Sequence, residues 1–77
     1  MAEANEYLVV IEEGPSSFGA YVPDLPGCVA VGESREECEA LIRDAIAFHI
    51  EGLIEKGEPV PQPHSSIIQV PYRPSAA

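Results

Sequence analysis

The stretch "VPDLPGCVAVGES", residues 22–34, sets two prolines, two glycines and one aspartate between hydrophobic residues. In Leu25-Pro26-Gly27-Cys28 the proline supplies a fixed φ at the second position and the glycine tolerates positive φ at the third, which predicts a type II turn. "CVAV", residues 28–31, then reads as a short strand that Gly32 ends. Ser34 followed by Glu37 has capping-box spacing, so a helix begins there, and Glu36 and Glu37 place negative charge at its positive end. The stretch is therefore a corner between two strands and the entry to a helix.

Working outward toward the N-terminus, "EYLVVIEE", residues 6–13, is a β-branched and aromatic run that reads as a strand. Tyr7, Val9 and Ile11 fall on one face, and Leu8 and Val10 on the other, so the strand is apolar on both sides. "GPSS", residues 14–17, is turn chemistry, and "FGAYV", residues 18–22, resumes the extended pattern, which makes a hairpin.

Toward the C-terminus, Cys38, Leu41, Ile42, Ala45, Ile46, His49 and Leu53 recur at spacings of three and four. That places them on one stripe of a helix running to about Lys56, with Gly57 as its cap and Pro59 preventing continuation. "EPVPQP", residues 58–63, has a proline at every second position and should be a stiff extended connection. "SSIIQVPY", residues 65–72, is a fourth strand candidate, with Pro71 favouring its end or a sheet edge.

These elements predict an α+β fold of order β-β-β-α-β. A right-handed crossover through the helix would lay the fourth strand parallel to the first, giving a four-stranded mixed sheet of order 3-2-1-4 with one helix on one face. No segment remains to cover the other face, so something outside this chain is expected to cover part of it. We read residues 1–77 as one domain, with residues 1–5 and 73–77 as flexible ends.

A chain of 77 residues buries only about 60% of the surface its unfolded form exposes, so association is expected to add stability. Thirteen acidic residues against four basic ones give a net charge of −9, which repels phosphate backbones and favours a basic partner. No window approaches the roughly 20 apolar residues of a membrane span, and the acidic start "MAEANEY" lacks the features of a signal peptide, so a cytoplasmic location is expected. There Cys28 and Cys38 would be reduced, small buried hydrophobes. Their spacing matches no zinc site, and His49 and His64 do not complete one.

Asp24 is the only aspartate of the corner. Two-metal hydrolysis needs several converging carboxylates, and Glu12, Glu13 and Asp44 are not fixed at a common point with it. A short carboxylate before a proline-glycine turn accepts hydrogen bonds from turn amides, and that role, or contact with a partner, is the expectation for Asp24. His49 lies within the apolar stripe with no nucleophile beside it; Cys38, on a similar face, lies about 16 Å away along the axis.

The succession Pro23-Asp24-Leu25-Pro26-Gly27-Cys28, Gly32, a capped helix with Ala45, Ile46 and His49, then Gly57 and the proline series, resembles the HicB-like antitoxin family. The likeness extends over residues 7–63. It implies a partial ribonuclease-H-like sheet with one helix, and a type II antitoxin that binds a small basic RNA-cleaving HicA-like toxin and blocks its catalytic histidine. Nuclease activity does not follow from the fold likeness, since the carboxylate cluster is missing, so the chain is not expected to be an enzyme. Two-domain members continue into an operator-binding domain, whereas only a few residues follow the fourth strand here, so direct nucleic-acid binding is not expected.

The resemblance and the residues together assign no catalytic, cofactor or metal-ligating residue, and no membrane contact. Asp24, Leu25, Pro26 and Gly27 are the expected partner-binding or structural loop. A HicA-like toxin and further copies of the chain, as a homodimer or higher homo-oligomer, are the expected partners. The competing readings are a standalone homo-oligomeric module without a toxin and a ribonuclease-H-like nuclease.

Overall fold

The computed structural model of the chain describes residues 6–74. Its elements follow as β1 (Val10–Glu13), β2 (Phe18–Tyr21), β3 (Val29–Gly32) and α1 (Arg35–Glu55). The strands form an antiparallel sheet of order β1-β2-β3, with Ile11 opposite Ala20 and Ala20 opposite Ala30. The turn at residues 14–17 closes through the Gly14 N–H donating to the Ser17 carbonyl at 2.7 Å. Residues 6–9, expected within the first strand, precede the ladder, yet Tyr7 and Val9 still pack against the core.

The corner between β2 and β3 is two consecutive turns. The Leu25 N–H donates to the Val22 carbonyl, the Cys28 N–H donates to the Leu25 carbonyl, and the Val22 N–H reaches across to the Cys28 carbonyl. Gly27 sits at φ 86°, the value a type II turn requires at its third position and one that side chains disfavour. The double turn folds Leu25 inward until it is fully buried, while Pro26 and Gly27 stay exposed.

At the start of α1 the Ser34 hydroxyl accepts from the Glu37 N–H at 3.1 Å, and the Glu37 carboxylate reaches back to the Glu33 N–H, one residue before the cap. At its end the Gly57 N–H donates to the Ile54 carbonyl and the Glu58 N–H to the Leu53 carbonyl. These are the two bonds of a Schellman closure, with Gly57 in the left-handed position.

The helix packs on β2 and β3. Ala20, Val22, Leu25, Cys28, Cys38 and Ile42 are buried between them, and Tyr7, Val9, Ile11, Ala45, Ile46 and Ile50 surround that centre half-buried. Cys28 and Cys38 are both free thiols inside this core. β3 and the first turn of α1 approach so closely that a Cβ at Gly32 would lie 2.7 Å from the Cys38 nitrogen.

The fourth strand and the order 3-2-1-4 are not formed. Among the described residues the sheet has three strands, all antiparallel, and nothing pairs with the outer edge of β1. The segment is anchored by side chains and not by a ladder: the Tyr7 hydroxyl donates to the Pro61 carbonyl, and the amides of His64 and Ser65, at the start of the expected strand, are taken by Asp24 at the β2–β3 corner. Beyond that point the chain runs on with its apolar side chains in solvent. The accessible surface of 6386 Å² exceeds the ~4,600 Å² typical of a folded monomer of this mass. The α+β class and the single helix on one face are as expected; of the expected flexible ends, residues 1–5 and 75–77 lie outside the described residues.

Because the neighbour of Gly32 is helix backbone, which cannot turn aside as a side chain does, Gly32→Ala should lower unfolding free energy by about 1–3 kcal/mol, as overpacking does. Urea denaturation checks this; an unchanged midpoint would mean that strand and helix are further apart than described.

Candidate functional site

Two features stand out from the frame: a buried carboxylate at the β2–β3 corner, and an apolar sheet face without a covering layer. Asp24 is the only buried charged residue among those described, with its side chain wholly out of solvent. Its Oδ2 accepts from the backbone N–H of His64 at 2.9 Å and of Ser65 at 3.0 Å. Its Oδ1 accepts from the Ser65 hydroxyl at 2.7 Å and lies 3.1 Å from Nε2 of the largely exposed His64 ring. Asp24 thus orders the chain as expected of a structural carboxylate, but its donors come from forty residues away and not from the turn amides.

This arrangement leaves no buried polar side-chain atom without a partner among the described residues. The Ser65 hydroxyl, joined by the amides of His64 and Ser65 and by the His64 ring, holds the Asp24 carboxyl below its ordinary value, outweighing the opposing effect of burial. Burial alone pushes the Cys28 thiol up, which keeps it protonated and unreactive. No group of three His, Cys, Asp or Glu side chains able to hold a metal ion occurs among the described residues. Glu12, Glu13 and Asp44 are exposed and do not join Asp24.

The second feature is set by strand alternation. Since Ala20 and Ala30 face the helix, their neighbours Tyr21, Val29 and Val31 face away from it, and the register aligns Val10, Tyr21 and Val29 in one cross-strand row. Tyr21 is 42% exposed, Val29 62% and Val31 67%. At one end Val31 joins a hollow of about 570 Å³ lined by Ser16, Ser17, Glu33, Glu37 and Leu41. The face is apolar along its middle and acidic at this rim.

The loop residues expected at the site therefore divide. Asp24 and Leu25 are interior and structural, and Pro26 and Gly27 are its exposed tip. Sequence reasoning anticipated the uncovered face from the two-sided apolar pattern of residues 7–11, but it missed His64 and Ser65 as the partners of Asp24. Their only trace in the sequence is a polar break between Pro63 and Ile67.

With this geometry in view, comparison with known proteins is informative. The family model described as "HicB_like antitoxin of bacterial toxin-antitoxin system" matches residues 7–75. The chain belongs to the HicB-like antitoxin family. A UPF0150 protein of Synechocystis sp. is 39% identical over 57 residues, covering 73% of this chain and 72% of that one. A UPF0150 protein of Thermoplasma acidophilum is 32% identical over 66 residues, covering 84% and 96%. An uncharacterized 14.9 kDa protein of Haemophilus phage HP1 is 38% identical over 56 residues; the match covers 73% of this chain but only 42% of the phage protein. Among solved structures, a chain of the "HicA3 and HicB3 toxin-antitoxin complex" superposes with a TM-score of 0.67 at 32% identity, covering 78% of this chain and 70% of that one.

No helix among the described residues of this HicB-like protein is long and apolar enough to cross a membrane. The lowered Asp24 pKa fixes the sign of a pH effect: a carboxyl whose folded pKa lies below its unfolded value stabilises above the unfolded pKa, and that contribution is lost as pH falls through the folded one. The amide resonances of His64 and Ser65 should accordingly titrate together, with a midpoint below 3.8, and stay flat in Asp24→Asn. A midpoint above that value in the wild type would contradict the clasp.

Proposed function

We propose that this chain is a type II antitoxin that binds and neutralises a small basic RNA-cleaving toxin of the HicA kind, and that it is not itself an enzyme. The observation that carries the reading is the likeness to a chain of the HicA3 and HicB3 complex, at a TM-score of 0.67 and 32% identity. Charge supports it, since a net −9 steers a cationic partner and repels RNA. The Val10, Tyr21, Val29 row offers the apolar centre of an interface, and the hollow with Glu33 and Glu37 offers carboxylates to lysine or arginine at its rim. Neutralisation then follows from covering the toxin's catalytic histidine, with no chemistry by this chain. The two free thiols fit a reducing cytoplasm.

We propose further that the protein works as a homodimer or higher homo-oligomer. A standalone homo-oligomer without a toxin remains the second reading, favoured by the apolar side chains that residues 67–72 expose.

Co-expression with a HicA-like protein encoded beside it should yield a stable complex and restore growth. Val29→Arg together with Val31→Arg, both at exposed positions, should weaken that complex by about tenfold or more, and raised salt should slow its formation. Absence of a complex at micromolar concentration would overturn the antitoxin reading; a complex indifferent to the two arginines would overturn the assignment of the face.

A further inference from the structure

The core is complete on one side of the sheet and unfinished on the other. Under β2 and β3 the side chains of Ala20, Val22, Cys28, Cys38 and Ile42 are buried, whereas at β1 Tyr7, Val9 and Ile11, with Ala45, Ile46 and Ile50 of the helix, are only half-buried. The helix contacts β2 and β3 but makes no comparable contact with β1. β1 also presents an unpaired backbone edge among the described residues. One more strand beside β1 would close both gaps.

The same molecule carries a segment with the composition of that strand and no place of its own. Residues 66–74 take part in no backbone hydrogen bond among the described residues. Ile68 and Tyr72 are 85% exposed and Val70 70%, and the three share one face of an extended chain. Pro71 falls between them, so its missing amide points to the opposite side and leaves the amides of Ile68, Val70 and Tyr72 free to meet a strand edge. Asp24 holds residues 64 and 65 at the β2–β3 corner and Tyr7 holds Pro61 just before β1, yet beyond these anchors the segment does not pair with this chain's own β1.

We infer that residues 66–72 of one copy add as a strand to the β1 edge of a second copy, with Ile68, Val70 and Tyr72 covering the half-buried group around Val9 and Ile46. Charge favours a second copy as the occupant. All thirteen acidic side chains lie in residues 1–63, and Arg73 is the only Lys or Arg after them, so a weakly cationic arm meets an acidic body that carries Glu12 and Glu13 on β1 itself. Strand addition of this kind supplies affinity through main-chain bonds and specificity through alternate side chains. The reciprocal exchange is isologous and closes as a pair. This inference rests on the self-association proposed above and is independent of the toxin.

The test mixes two full-length variants, one carrying Val10→Cys on β1 and the other Gln69→Cys on the arm, and treats them with a short bismaleimide; Cys28 and Cys38 are buried and do not compete. Native mass measurement of the wild type and of a chain ending at Ser65 accompanies it. Arm exchange predicts a wild-type dimer, a monomeric truncated chain, and crosslinked product between the two variants but not within either alone. A wild-type dimer without crosslinking, or a truncated chain that stays dimeric, would overturn arm exchange while sparing self-association. A wild-type monomer would overturn both, as would a Val10→Cys, Gln69→Cys double variant that crosslinks within one chain.

Discussion

The Asp24 carboxylate governs how this small chain is assembled. A buried charge without a cation in the interior is tolerated only when hydrogen bonds replace its water, and three of these come from His64 and Ser65. The corner must therefore present the carboxylate inward, which the two turns through Val22, Leu25 and Cys28 do, and the distant segment must arrive with both amides aligned. The proline series after the helix suits that task. Pro59, Pro61 and Pro63 limit the conformations of the connection, and the Tyr7 hydroxyl holds it at Pro61 on the way. Asp24, together with Tyr7, thus links the corner, the N-terminal approach to β1 and the course of the C-terminal arm.

The rest of the architecture follows from that link together with the shortage of chain. A single helix covers one sheet face, and its grip is strongest where Gly32 lets β3 pass under Cys38. The opposite face keeps Tyr21, Val29 and Val31 in solvent, and the arm keeps Ile67, Ile68, Val70 and Tyr72 there as well. So much exposed apolar surface on a chain of this size supports the associations proposed above. On the proposals above, the acidic rim at Glu33 and Glu37 serves a basic protein on the open face, and the arm with Arg73 serves another acidic copy.

Much of this was legible from local chemistry. Pro26-Gly27 forms the type II turn it predicts, Ser34 and Glu37 cap the helix, and Gly57 closes it, because each is decided within a few residues. Of the helix stripe, Cys38, Ile42, Ala45 and Ile46 find the core for the same reason while Leu41 is left exposed, and the two-sided apolar character of residues 7–11 foretold the open face. What failed was non-local. "SSIIQVPY" has the pattern of a strand, but pattern does not name a partner edge, and the amides at its start were already committed to a carboxylate forty residues earlier. The donors of Asp24 were hidden for the same reason, since turn amides lie beside it in sequence and those of His64 and Ser65 do not.

The family gives this arrangement its meaning: a HicB-like antitoxin domain whose corner is a structural lock, and whose chemistry, on the reading proposed, belongs to the toxin it covers. The most direct test of the lock is amide hydrogen exchange on the isolated protein at a concentration dilute enough to be monomeric. The account predicts slow exchange at His64 and Ser65 beside fast exchange from Ile67 to Tyr72. Equal and fast exchange throughout residues 64–72, or protection of Ile68 and Val70 in the monomer, would contradict it.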